Sequence, residues 1–249
     1  MRRVNTAKDR KRDTDMGTAF LGEPLPHLKE WIRKHHKQSQ FKFLYKKAGD
    51  TDWQEYEPTE DDFDFADGKA TITATGFRQI DGFDDVREVK LPNRWNSNGT
   101  YVDVASIGND TFHDCSGLTN VVIPDGVTNI GGSVFLGCTS LTSMTIPDSV
   151  NNIGGSAFSG CSGLTNVAIG NGVVNIRPYA FSNCSRLANV TIPANTTNIG
   201  NSAFQNCSRL TSVEFKGNAP IVGTNVFKGV ASGCKAVISS TAADFPAAG

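Results

Sequence analysis

Ile153-Gly-Gly-Ser-Ala-Phe158-Ser-Gly-Cys161-Ser-Gly-Leu164-Thr-Asn-Val167-Ala-Ile169-Gly-Asn-Gly-Val173-Val-Asn175 is one copy of a unit that recurs every 23 residues. Cys115, Cys138, Cys161, Cys184 and Cys207 keep that step. So do Ile107, Ile130, Ile153, Ile176 and Ile199, and the longer column Phe112, Phe135, Phe158, Phe181, Phe204, Phe227. Leu118, Leu141, Leu164, Leu187 and Leu210 form a fourth column, and Ile123, Ile146, Ile169, Ile192 and Phe215 a fifth. Self-similarity at a fixed period of 20–50 residues is the mark of a solenoid, and a period near 23 falls in the leucine-rich range.

The residues 118–123 alternate apolar and polar, as do 187–192, which predicts one short strand per coil. Pro124, Pro147 and Pro193 stop it, because proline cannot donate to a ladder. Gly131-Gly132 and Gly154-Gly155 supply tight backbone after the buried Ile. The Ala-Phe-x-x-Cys stretch is short enough for a single helical or 3₁₀ turn. One coil cannot fold alone, since five or six buried apolar side chains do not offset the backbone entropy of the whole unit. Stability must come from neighbours covering one another. The expected fold is a repeat solenoid, with parallel strands on one face, short 3₁₀ or turn segments on the other, and a small α/β N-terminal cap.

The unit I-G-x-x-A-F-x-x-C-x-x-L-x-x-V-x-I-P resembles the BspA-like leucine-rich repeat, also called the Treponema pallidum-type repeat. The clean match covers residues 105–216. The resemblance implies a leucine-rich repeat fold and a role in surface adhesion or ligand capture. Weaker copies flank it. Val86, Val89, Leu91 and Pro92 match Leu118, Val121, Ile123 and Pro124 at an offset of 32, placing a nine-residue insertion within 93–106. Phe83 takes the Cys column there and Ile80 the Phe column. Cys234 follows Cys207 by 27 residues, so the final coil is expected to have grown by about four, with Val237-Ile238 as its last strand.

Residues 1–17 are charged and without apolar periodicity, and are read as disordered. Leu25, Leu28, Trp31, Ile32 and His35 share one face of an amphipathic helix over 24–37. Residues 41–45, 52–56 and 69–74 read as strands, giving a small α/β cap or docking segment at 18–75, a solenoid at 76–238 and a cap or tail at 239–249. Met1-Arg2-Arg3 precedes polar residues and no apolar core, so a secretory signal is not expected. Charge is polarised: residues 1–49 hold 13 Lys+Arg and 5 Asp+Glu, whereas 50–67 hold nine acidic residues and no basic one.

The 249 residues carry 24 Lys+Arg against 25 Asp+Glu, a net charge of −1, which argues against a dedicated nucleic-acid binder. No apolar run is long enough to span a membrane. The thiol column reads as buried free cysteines acting as small hydrophobes, since ladder side chains point in parallel and cannot aim at one another as a disulfide requires. No C-x-x-C or H-E-x-x-H pair provides a metal site, and no P-loop, G-x-S-x-G or dinucleotide fingerprint occurs. No enzyme, cofactor or metal is therefore expected. The unbroken Asn129, Asn152, Asn175, Asn198 column reads as stacked amides that satisfy turn backbone and one another.

Binding is expected on outward strand positions of a concave sheet: Asn120, Ser143, Asn166, Asn189 and Ser212 in one column, Val122, Thr145, Ala168, Thr191 and Glu214 in the next. Thr119, Thr142, Thr165 and Thr211 flank them, and Ala188 interrupts the row, which weakens an ice-surface reading. The sheet carries no Trp, Tyr or Arg of the kind that makes hot spots. Those lie elsewhere: Arg94, Trp95 and Tyr101 in the insertion, Arg177, Tyr179, Arg186 and Arg209 on turns. The candidate binding residues are Arg94, Trp95, Tyr101, Asn120, Thr145, Asn166, Thr191, Arg177 and Tyr179. The leading expectation is a non-enzymatic interaction protein for a protein or glycan partner, with self-assembly as a further option. The alternative is a structural component of a virion, appendage or sheath, docked by the charged N-terminal segment. The resemblance points to a cell-surface, extracellular or virion-associated location.

Overall fold

The computed structural model describes residues 43–56, 62–66, 69–73, 85–97 and 100–238. The expectations for residues 1–17, for a helix over 24–37, for Ile80 and Phe83 and for the tail 239–249 fall outside them.

Each coil contributes two strands, where one was expected. The long row consists of β5 (Val86–Lys90), β8 (Asn120–Val122), β10 (Ser143–Ile146), β12 (Asn166–Ile169), β14 (Asn189–Ile192), β16 (Ser212–Phe215) and β18 (Lys235–Ile238). The short row consists of β9 (Asn129–Ile130), β11 (Asn152–Ile153), β13 (Asn175–Ile176), β15 (Asn198–Ile199) and β17 (Ile221–Val222). Two residues are too few to show alternation, so the short row left no period to read. It is nonetheless the continuous one. All five strands pair in parallel, and the sheet extends through β7 (Thr100–Ile107) to β4 (Lys69–Ile72) and β3 (Phe63–Ala66).

Register follows the repeat. Asn152 pairs with Asn129 and Asn175, and Ile153 with Ile130 and Ile176. The offset of 32 appears as β5 opposite β8, with Val89 across from Val121. The insertion is a hairpin of β6 (Arg94–Ser97) against β7. At the N-terminal end β1 (Phe43–Lys47) pairs antiparallel with both β2 (Gln54–Tyr56) and β5. The strands on either side of residue 75 thus join both rows, β1 through β5 and β4 through β7. Tyr56 donates to the buried Asp62 carboxylate (3.3 Å), and burial together with that carboxylate pushes the phenol's pKa up.

The last coil has not grown. Ser212 faces Lys235 and Phe215 faces Ile238, a step of 23. Val230 takes the position 23 beyond Cys207, and Cys234 lies outside the thiol column.

The Phe column is the axis of the core. Phe112, Phe135, Phe158, Phe181 and Phe204 are fully buried. Successive rings stand 5.3, 5.1, 5.1, 5.2 and 5.7 Å apart from Phe112 to Phe227, all near parallel. Beside them, each thiol of the central column donates to the Phe carbonyl of the preceding coil: Cys138 to Phe112, Cys161 to Phe135 and Cys184 to Phe158, all at 3.1 Å, and Cys207 to Phe181 at 3.2 Å. The same Phe135 carbonyl also accepts the backbone N–H of Cys138. The cysteines are free, and the column is more than hydrophobic filler: it uses a weak donor that alanine lacks.

The turn side is a chain of i→i+3 bonds, such as Cys138 N to Phe135 O and Leu141 N to Cys138 O. It cannot lengthen into a helix, because every coil places two residues in the left-handed region. Asp110, Ser133, Ser156, Tyr179, Ser202 and Asn225 form one such column, and Asp114, Gly137, Gly160, Asn183, Asn206 and Gly229 the other. The Gly pairs serve close approach instead: a Cβ on Gly154 would collide with the Gly131 carbonyl.

Phe158→Ala should lower stability by about 3–5 kcal/mol, read from urea unfolding, because its cavity opens between two neighbouring rings. Burial pushes the Cys161 thiol up to about 12 from 9.0. The folded state therefore holds this proton more tightly than the unfolded chain, and stability present below pH 9 is lost as pH climbs towards 12. The urea midpoint should fall across that window, and less steeply in Cys161→Ala.

Candidate functional site

The outward columns of the long row stand as expected. Ser143, Thr145, Asn166, Ala168, Asn189 and Thr191 are exposed, while Met144, Val167 and Val190 between them are buried. The row is not one sheet. β8 ends a four-stranded sheet, β10 and β12 form a pair, and β14, β16 and β18 form another group. At the first break a shallow cleft of about 280 Å³ opens, with Asn120, Val122 and Asp125 on one side and Ser143, Thr145 and Pro147 on the other. Val122, one of its lining residues, is 42 % exposed.

Asn120 and Thr145 are thus brought together. Asn166 opens β12, and Thr191 in β14 donates to the Glu214 carboxylate at 3.2 Å. Lys216 also holds Glu214, at 2.5 Å, and its hydrogen bond lowers the carboxyl pKa. The flanking threonines are already engaged: Thr119, Thr165 and Thr211 donate to the carbonyls of Arg87, Thr142 and Ala188. That leaves these hydroxyls poorly placed to bind an ice lattice.

The insertion lies elsewhere. The β6–β7 hairpin belongs to the sheet of the short row. Arg94 Nε meets Asp103 at 2.7 Å, both well exposed, Trp95 pairs in register with Val102, and Tyr101 with Asn96. Arg177 and Tyr179 occupy a third place, just after β13. Arg177 donates to the Asn152 amide oxygen at 2.9 Å, replacing one step of the amide ladder seen at Asn152–Asn129 and Asn198–Asn175. Tyr179 is 48 % exposed at a φ of +60°, a conformation that costs a non-glycine residue about 1–3 kcal/mol.

One aromatic beside the long row, just before β2, was not among the expected binding residues. Trp53 has Lys90 Nζ 4.2 Å and Lys46 Nζ 5.0 Å from its ring centre. Lys90 pairs with Val122, so this Trp–Lys cluster stands on the strand next to the cleft's β8 wall. Only the antiparallel return of β1 onto β5 brings the three together; the offset of 32 places Lys90, but nothing in the spacing places Trp53. Charge also changes along the axis. Residues 43–148 hold 18 acidic and 7 basic residues, whereas 149–238 hold one acidic and six basic. Among the described residues no group of His, Cys, Asp or Glu is arranged to hold a metal ion, and no helix is long and apolar enough to cross a membrane.

Residues 105–233 match six copies of a BspA type leucine rich repeat region. A leucine-rich repeat protein of Treponema pallidum superposes with a TM-score of 0.54 at 23 % identity, over 72 % of this chain and 81 % of that one. A leucine rich cell surface protein of Faecalibacterium prausnitzii gives 0.53 at 31 % identity, over 71 % of this chain and 52 % of that one. No curated protein matches the chain.

Lys90→Ala should cost about 0.5–1 kcal/mol in urea unfolding and alter Trp fluorescence, because it removes the closer cation from the Trp53 face.

Proposed function

Since the chain belongs to the BspA-type leucine-rich repeat family, a repeat scaffold, we propose that it is a non-enzymatic adhesion-type protein that presents its long strand row and its insertion hairpin to a protein or glycan partner. The carrying observation is the cleft at the break between β8 and β10, where Asn120, Ser143 and Thr145 surround exposed Val122 and the Trp53–Lys90 cluster stands one strand away. Small hydroxyls and amides beside an exposed valine suit a polar ligand held by hydrogen bonds, and an aromatic one strand away adds the anchor that such a surface needs. Arg94, Trp95 and Tyr101 on the hairpin give a second contact. The binding unit is the solenoid at 76–238, with 18–75 as its cap, and the location is the cell surface. The alternative of an assembly subunit rests on a charged N-terminal segment, most of which lies outside the described residues.

The full chain should bind at least one member of a panel of immobilised extracellular-matrix proteins and arrayed glycans. Asn120→Ala with Thr145→Ala, or Trp95→Ala with Tyr101→Ala, should weaken that binding at least tenfold in surface plasmon resonance. Affinity unaltered in both double variants would remove these surfaces from the proposal.

A further inference from the structure

The turn side of the solenoid carries a second, differently built surface. The pentapeptide Asn-Cys-Ser-Arg-Leu occurs twice, at 183–187 and 206–210. Cys and Leu are core residues, whereas Asn183, Arg186, Asn206 and Arg209 are exposed. The copies are locked in register, with Asn206 Nδ2 donating to Asn183 Oδ1 at 3.0 Å and Ser208 Oγ to the Ser185 carbonyl at 3.3 Å. At the arginine position the other coils have Gly117, Ser140, Gly163 and Ser232, so packing does not call for a long side chain there.

Two guanidiniums in adjacent coils, about 4.8 Å apart at the backbone, repel each other. Among the described residues no carboxylate pairs with either one. No acidic residue occurs between Ser149 and Val213, and Glu214 is engaged by Lys216 and Thr191. On the preceding coil Gly160 and Gly163 stand at the positions of Asn183 and Arg186 and carry no side chain. Tyr179, at the start of the same turn segment, is held half exposed in a left-handed conformation.

We infer that this turn face binds a linear acidic polysaccharide, with anionic groups of successive sugars meeting Arg186 and Arg209. Identical donors repeated at one coil's rise, close to the length of one sugar residue, match a repeating polymer. Two identical donors held in register match identical anionic units of a polymer, whereas an acidic protein segment presents varied side chains. The guanidinium fork suits carboxylate or sulfate. This surface belongs to neither strand row, so the inference stands apart from the proposed function.

The test uses the full chain and polygalacturonate, with neutral dextran, poly-L-glutamate and oligo-dT as comparison ligands, by calorimetry at low and physiological salt. Binding to polygalacturonate is expected, weaker at higher salt, with none to dextran. Arg186→Ser with Arg209→Ser should reduce affinity at least tenfold while leaving the thermal midpoint level or raised, because a like-charge pair is gone. Arg186→Lys with Arg209→Lys, which keeps charge and loses the fork, should lose at least threefold. Trp95→Ala should leave this binding intact. Absent binding, affinity unchanged in the Ser double variant, or equal or tighter binding of poly-L-glutamate or oligo-dT would each overturn the assignment.

Discussion

The stacking of one phenylalanine ring on the next, near 5.1–5.3 Å from Phe112 to Phe204, is the constraint on which the rest of the molecule depends. A ring pile at that spacing demands that each coil sit one strand's width above the last. The short row of Asn-Ile strands, the thiol-to-carbonyl bonds and the glycine approaches at Gly131 and Gly154 all satisfy that demand at once. Remove the common rise and none of these bonds closes. The column is thus a nearest-neighbour device, in which the stability of any coil is a property of its two neighbours.

That rigidity explains why departures from the repeat carry the chemistry. The short row runs unbroken, so the long row can part between β8 and β10 without loss of register, and the cleft opens there. The coil holding Arg177, Pro178 and Tyr179 replaces the Gly-Gly-Ser of the two coils before it, yet its strands keep the same pairing. Along the solenoid the acidic residues stop: 43–148 hold 18 of them against 7 basic, and 149–238 hold one against six. Surface identity is written coil by coil onto a frame that does not answer back.

Most of the frame was legible because its columns are apolar and strictly spaced. The Phe, Cys, Leu and Ile positions are core, save Cys115, Ile169 and Phe227, which are partly buried against it, and the offset of 32 located β5 correctly. What escaped did so for physical reasons. Two-residue strands carry no period. Left-handed positions are filled, Tyr179 apart, by Ser, Asp, Asn or Gly, types that also serve as ordinary turn residues, so only dihedral angles separate them. The apparent growth of the last coil followed Cys234, whereas the strand register follows Ser212 and Lys235. At the candidate site the outward columns were visible, but the Trp53–Lys90 contact depends on an antiparallel return that no repeat encodes.

The uniform step has a last consequence. Asn152 bonds to Asn129 as Asn198 bonds to Asn175, and Cys161 to Phe135 as Cys184 to Phe158. Two cut ends of such a rod are therefore interchangeable. A duplication or deletion of one whole period leaves the ring stack and the thiol-to-carbonyl bond at the new junction as they were. The gene can lengthen or shorten by unequal recombination with little penalty in the core. Reach then becomes heritable separately from recognition, and any newly copied coil starts as a blank facet open to divergence.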